Sequence, residues 1–370
     1  MTTARSDHGR GLNGFADRRL ISLLGAVFCI APLASLEASA APYTPPRTAS
    51  GQPDIGGYWS NSTLTPMTRD PRLGDRAVYT PAEVTALETD ESNQVAEGNK
   101  PTDPNAPVNA PNGLELKPSF AAAGGDVGGY NRGWLDPGHT VMRVGGQPRT
   151  SLITTKNGQY PPRKSGAASV VSYGGEGGEG SRGPLGSLDN PENRPTGERC
   201  IIGFGRNAGP PMFPNGFYNN NYNIVQTPDA VAIQVEMVHD TRIVRLNSKH
   251  RTDGVRPWFG DSIGWWDGDT LVVETTNIPQ QEAFMGSWKD LKVTERFTRT
   301  GKDRLRYQFT VSDPSIWNAA WGGEYEFAPL SGVIYEYACH EGNYALPGIL
   351  AGARSAEQEK ANAPAKAASN

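Results

Sequence analysis

Four ionisable side chains crowd into the seven residues EMVHDTR: Glu236, His239, Asp240 and Arg242. A second His–acid pair, His340–Glu341, stands in ACHEGNY. Ionisable groups beside apolar strands are costly to bury unless they are paired or used. An imidazole next to a carboxylate is the usual makeup of a general base, because the acid fixes the tautomer and steadies the imidazolium. This reading makes His239 the base, steered by Asp240, with His340 and Glu341 as the acid pair. Arg242 and Tyr222 would then stabilise a developing oxyanion. Glu236, Asn220 and Trp266 complete the candidate substrate-binding set. The plainer alternative is that these groups cap strand ends.

Other chemistries are less well served by the sequence. A two-His, one-carboxylate metal set from His239, His340 and one of Glu236, Asp240 or Glu341 is the weaker option, since HExxH and paired CxxC are both missing. No G-x-S-x-G occurs for a nucleophile elbow. The glycine run GGEGGEG lacks the lysine of a phosphate loop. Glu236 and Asp240 would suit a glycosidase only at a separation that sequence does not give. Tyr and Trp residues crowd the same half of the chain, among them Tyr218, Tyr222, Trp258, Trp265, Trp266, Tyr335 and Tyr337. They suit a flat apolar or hydroxylated ligand. No cofactor is expected.

The elements that must position these residues read as β. Between Tyr218 and Leu246 lie three short β-type segments, broken at Pro228–Asp229 and at His239–Asp240, and the middle one alternates clearly, with Val231, Ile233, Val235 and Met237 on one face. Asp269–Thr276, Leu291–Thr298 and Asp303–Val311 continue the series, and Val333–His340 reads as its last strand. Short strands joined by tight turns predict a mainly β fold, a single antiparallel up-and-down, calycin-like barrel over residues 200–345, which also removes exposed edges. Residues 41–199 form an extended N-terminal arm with one short helix near 81–97, where Thr80, Pro81 and Glu83 provide a capping box. In that arm TSLITTKNGQYP predicts a hairpin about Asn157–Gly158, and Ser172–Ser187 a glycine-rich surface loop. Residues 346–370 read as a tail. His250, in RLNSKHRTDG, reads as part of an exposed turn.

Residues 1–40 carry a basic start, an apolar core and Ala38-Ser39-Ala40, the pattern of a cleaved export signal. Periplasmic delivery is therefore expected. Cys200 and Cys339 are the two cysteines beyond it, and in an oxidising compartment they predict one disulfide. The alternative is a catalytic thiol. A net charge of −4 without a long basic run argues against nucleic acid as a partner. No later stretch has the length of a transmembrane helix.

The stretches QPDIGGYWSN, YNRGWLDPG, RTSLI, YNNNYNIVQTPD, EMVHDTRI, GDTLVVETTN, ERFTR, DPSIW and YEYACHEGNY together resemble a family of exported, mostly uncharacterised bacterial proteins. The resemblance spans nearly the whole chain beyond residue 40 and implies no particular activity. From the residues, the leading function is a cofactor-independent acid–base enzyme, a lyase or isomerase acting on a small aromatic or hydroxylated compound in the barrel mouth. A binding protein using the same mouth without turnover is the alternative, and a structural envelope protein a third reading.

Overall fold

The computed structural model describes residues 43–99, 136–167, 188–203, 205–216 and 218–362. The segment read as an export signal, the expected glycine-rich loop and the end of the tail lie outside the described residues. Within them the chain is mainly β. Strands β1 (Gly57–Ser60), β4 (Asn221–Gln226), β5 (Ala230–Val235), β6 (Thr241–Leu246), β7 (Asp261–Asp267), β8 (Thr270–Thr276), β9 (Lys292–Gly301), β10 (Arg304–Ser312) and β11 (Trp321–Pro329) close into one barrel. A two-stranded ribbon, β2 (Arg143–Val144) with β3 (Gln147–Pro148), lies beyond it.

Alternation decides which side chains enter the barrel. On β10 Leu305, Tyr307, Phe309 and Val311 point inward and are buried, while Arg304, Arg306, Gln308 and Thr310 face out. Tyr222 and Ile224 of β4, Val231, Ile233 and Val235 of β5, and Phe297 of β9 fill the same interior. Their rings pack closely: Tyr307 and Tyr325 centroids are 4.8 Å apart, and Tyr222 meets Phe327 edge-on at 5.2 Å.

Three features depart from the sequence-based expectation. First, β1 comes from the N-terminal arm, pairing with β4 through Gly57–Ser60 and with β11 through Trp59 and Ser60. The barrel thus begins well before residue 200. Second, β6 and β7 run parallel, Val244 opposite Ser262, because residues 247–260 carry the chain back along the barrel before β7 begins. Every other strand pair of the barrel is antiparallel.

Third, the last strand is Trp321–Pro329 and not Val333–His340, which forms no strand. WGGEYEFAP hides its strand behind two glycines, and both are steric requirements. A Cβ on Gly322 would lie 2.0 Å from the Phe309 carbonyl oxygen, and one on Gly323 2.6 Å from that of Leu152. Beside Gly323 the chain at Leu152–Thr154 docks on β11: Thr154 N–H donates to Gly322 O and Glu324 N–H to Leu152 O. The hairpin expected there does not form. Asn157–Gly158 does make a turn, with Gly158 at φ +66°, but its flanks pair elsewhere.

Helix α1 (Pro81–Gly98) starts as its capping box requires, with Glu83 accepting from Thr80 N–H at 2.8 Å and Thr80 Oγ1 from Glu83 N–H at 3.3 Å. A second helix, α2 (Ala345–Asn362), occupies what the sequence suggested as tail. No helix among the described residues is long and apolar enough to cross a membrane.

Candidate functional site

The registers place Asn221, Val235, Thr241, Asp261, Thr276 and Val311 at one end of the barrel, and Gln226, Leu246, Trp266 and Phe327 at the other. The first end is plugged by the chain itself. Residues 205–216 dip inward, burying Ala208, Met212 and Phe213. Three tyrosine hydroxyls of the barrel wall hold the plug backbone. Tyr307 Oη accepts the Met212 N–H at 2.9 Å, Tyr325 donates to Met212 O at 3.1 Å, and Tyr222 donates to Asn207 O at 2.9 Å.

Beneath the plug, Arg242 and Glu295 form a fully buried bidentate pair, with Nη2–Oε1 at 2.8 Å. Tyr307 donates its own hydroxyl to the same carboxylate at 2.9 Å, and Asn61 bridges Tyr222 and Tyr325 at 3.1 Å each. Burial pushes the phenols of Tyr222, Tyr307 and Tyr325 upward, so they stay protonated donors. Arg242 and Tyr222, expected to meet an oxyanion, are thus part of a closed polar core that supports the plug. Asn220 serves the plug too, accepting from Asn215 N–H at 2.6 Å and donating to Asn215 O at 2.8 Å.

Glu236 is also committed to structure, accepting from Asn221 at 2.8 Å and from Tyr335 N–H at 2.9 Å. The latter bond anchors residues 331–344, which cross this end as a strap. Cys200 and Cys339 join the strap to the plug root in a disulfide with an S–S length of 2.03 Å. His340 and Glu341 sit on the exposed turn after Cys339. Trp266 lies at the far end, packed against the core cluster. His239 closes the 3-10 turn Met237–His239, and its side chain lies outside what the structure describes. Among the described residues no group of three His, Cys, Asp or Glu is gathered to hold a metal ion.

Asp240 is the member of the predicted set that faces a crevice. Ile202, Gly203, Arg206, Ala208, Phe259 and Glu282 line it with Asp240, beside the plug. Asp240 is 8% exposed, and its Oδ2 accepts the Gly203 N–H at 2.7 Å. Glu282, partly buried, accepts from Thr196 Oγ1 at 2.7 Å. Arg206 is held by the carbonyls of Glu282 (3.2 Å) and Pro210 (2.5 Å), and its guanidinium lies 4.8 Å over the Phe284 ring. Desolvation raises both carboxyls: Asp240 to about 7, against the Gly203 hydrogen bond, and Glu282 to about 7, against Thr196 and Arg206 and aided by the Asp240 charge.

Glu282 and Arg206 escaped sequence reasoning, because neither stands in a recognisable motif. A conformational signal marks Arg206, which lines this crevice, and two residues close in sequence to its lining. Cys200, Arg206 and Val238 all take left-handed backbone, at φ +54°, +63° and +54°. For a β-branched residue such as Val238 this is a strained conformation, of the kind retained where surrounding structure enforces it at a site.

Two further features stand nearby. A wider cleft of about 520 Å³, partly open to solvent, lies between the strap and the plug root. Tyr218, Tyr337, Cys339, Leu346 and Ile349 line it. His250, expected in an exposed turn, is clamped between Asp261 (Nδ1, 2.9 Å) and Glu274 (Nε2, 3.3 Å). No protein-family model matches the chain, and no curated protein matches it either.

Proposed function

We propose that this chain is an exported acid–base enzyme whose reacting groups are Asp240 and Glu282. The observation that carries the reading is their placement in one desolvated crevice beside Arg206. Burial keeps either carboxyl from ionising readily, so near neutral pH each is divided between protonated and ionised forms, and a state with one of each is populated. That is the division a proton-transfer reaction needs: a base and an acid side by side. Arg206, fixed on Phe284, is suited to hold a negative oxygen formed during the step. A lyase or isomerase acting on a small hydroxylated or aromatic compound remains the reading, with any ring accommodated in the strap cleft by Tyr218 and Tyr337. The Cys200–Cys339 disulfide is compatible with export.

The role given to His239 in the sequence reading passes here to Asp240 itself. Screening the purified chain against small hydroxy acids, keto acids and phenols tests the proposal. Turnover should follow a bell-shaped pH profile and fall by about a hundredfold or more in both Asp240→Asn and Glu282→Gln. A substrate turned over equally well by both variants would refute it.

The size of the strap cleft favours a second reading, small-molecule binding without turnover. There Tyr218→Ala would weaken binding while Asp240→Asn would not.

A further inference from the structure

The crevice between Asp240 and Glu282 is small. It leaves room for a group about the size of one water molecule, walled by polar atoms on several sides. Asp240 is more than nine-tenths buried, yet only Oδ2 is engaged, by the Gly203 N–H. Its Oδ1 has no hydrogen-bond partner among the described residues. On Glu282, Oε1 is taken by Thr196 and Oε2 is left over. Carboxylate oxygens without a protein donor that line a polar space of that size make a seat for water. An aromatic substrate does not fit between the two acids, so its reacting atom can only approach from the crevice rim.

We infer that the crevice holds a water molecule as reactant, and that the enzyme adds water to a trigonal carbonyl carbon or removes it from the tetrahedral hydrate. This rests on the acid–base reading above and narrows it to hydration and dehydration. In the forward sense the ionised carboxylate takes a proton from the water. The water oxygen forms a C–O bond to a carbonyl carbon, and the π pair moves onto the carbonyl oxygen. That oxygen takes the proton of the protonated carboxyl. One water is consumed, a gem-diol is formed, and the two carboxyls end with their proton exchanged. Reversal expels water and restores the first arrangement. Arg206 lies where a carboxylate on the substrate, or the developing oxyanion, gains a cation.

Pyruvate serves as the probe, because one molecule reports two events. Exchange of its keto oxygen with ¹⁸O-labelled water reports reversible hydration. Deuterium entry at its methyl group reports proton abstraction by a base without water addition. With the disulfide-bonded chain at pH 7, keto-oxygen exchange should exceed the buffer blank by about tenfold or more. The excess should vanish in Asp240→Asn and in Glu282→Gln, both confirmed as folded by their far-ultraviolet circular dichroism. Accelerated methyl exchange with keto-oxygen exchange at the blank rate would overturn the water inference and leave the acid–base reading standing. Acceleration of neither would overturn both. Keto-oxygen exchange that survives in either variant would show that the catalysed water lies elsewhere.

Discussion

The Glu236 carboxylate accepts the backbone N–H of Tyr335 at 2.9 Å, joining the end of β5 to a strap 99 residues further along the chain. With the Cys200–Cys339 bridge it fixes the strap across the plugged end of the barrel. The bridge closes 139 residues, worth about 4–5 kcal/mol on the chain-entropy account. Glu236→Ala should raise amide exchange in 331–344 while the exchange of β8, β9 and β10 stays unchanged. Reducing the disulfide should add to that effect, and protection of the strap that survives both changes would show that neither anchor holds it.

The Arg242–Glu295 pair makes a sharper energetic prediction. Arg242→Met leaves the Glu295 charge buried without its cation, which should cost about 3–5 kcal/mol by denaturant unfolding. Arg242→Met with Glu295→Leu removes both charges and should recover at least half of that loss. If the double variant is no more stable than the single, the cost is one of packing and not of an orphaned charge.

Gly323 separates steric from conformational need, since no positive φ is involved. Gly323→Ala would press its Cβ to 2.6 Å from Leu152 O and from the Phe309 ring. It should lower stability by about 1–3 kcal/mol. Gly216→Ala, with no atom within 4 Å, is the control and should be near neutral. Equal effects at the two positions would contradict the account of β11.

These residues also mark how far the sequence could be read. Alternation found β8 and β10 within a residue of their bounds and β9 within three, since their inward rows are mostly apolar. It missed β11, where close approach of Phe309 and Leu152 demands glycine and breaks the pattern. It took YEYACH for a strand because Tyr335, Tyr337 and Cys339 alternate, although a hydrogen bond and a disulfide, not a ladder, hold them. At the site, clustering of charge singled out Asp240 as the partner of His239, and the structure sets Asp240 against a crevice with Glu282. Alternation alone would have placed Arg242 inside the barrel, but its partner Glu295 is 53 residues away, and periodicity does not name partners. Glu282 reaches the crevice from the 3-10 turn Gln280–Glu282, where no pattern announces it.

Desolvation of Asp240 has a consequence for stability, with a definite sign. Its folded value, about 7, lies above the ordinary 3.8. Between those values the folded state holds more protons than the unfolded one, so stability falls as pH rises through that window. Asp240→Asn removes the titration and keeps an acceptor for Gly203 N–H. It should therefore exceed wild type in stability by about 1–3 kcal/mol at pH 8 and match it near pH 4. A variant less stable than wild type at pH 8 would mean that the ionised carboxylate is favoured where it lies.

The central claim is that Asp240 and Glu282 are two desolvated carboxyls of one crevice that titrate near neutral pH, and direct titration tests it. Side-chain carboxyl carbons of the labelled protein are followed by NMR from pH 3 to 9, with Asp240→Asn and Glu282→Gln supplying the assignments. The account predicts midpoints near 7 for both groups, and a lower midpoint for Glu282 once Asp240 is neutralised, because the Asp240 charge raises it. Midpoints near 4 for both, indifferent to each other's removal, would contradict it.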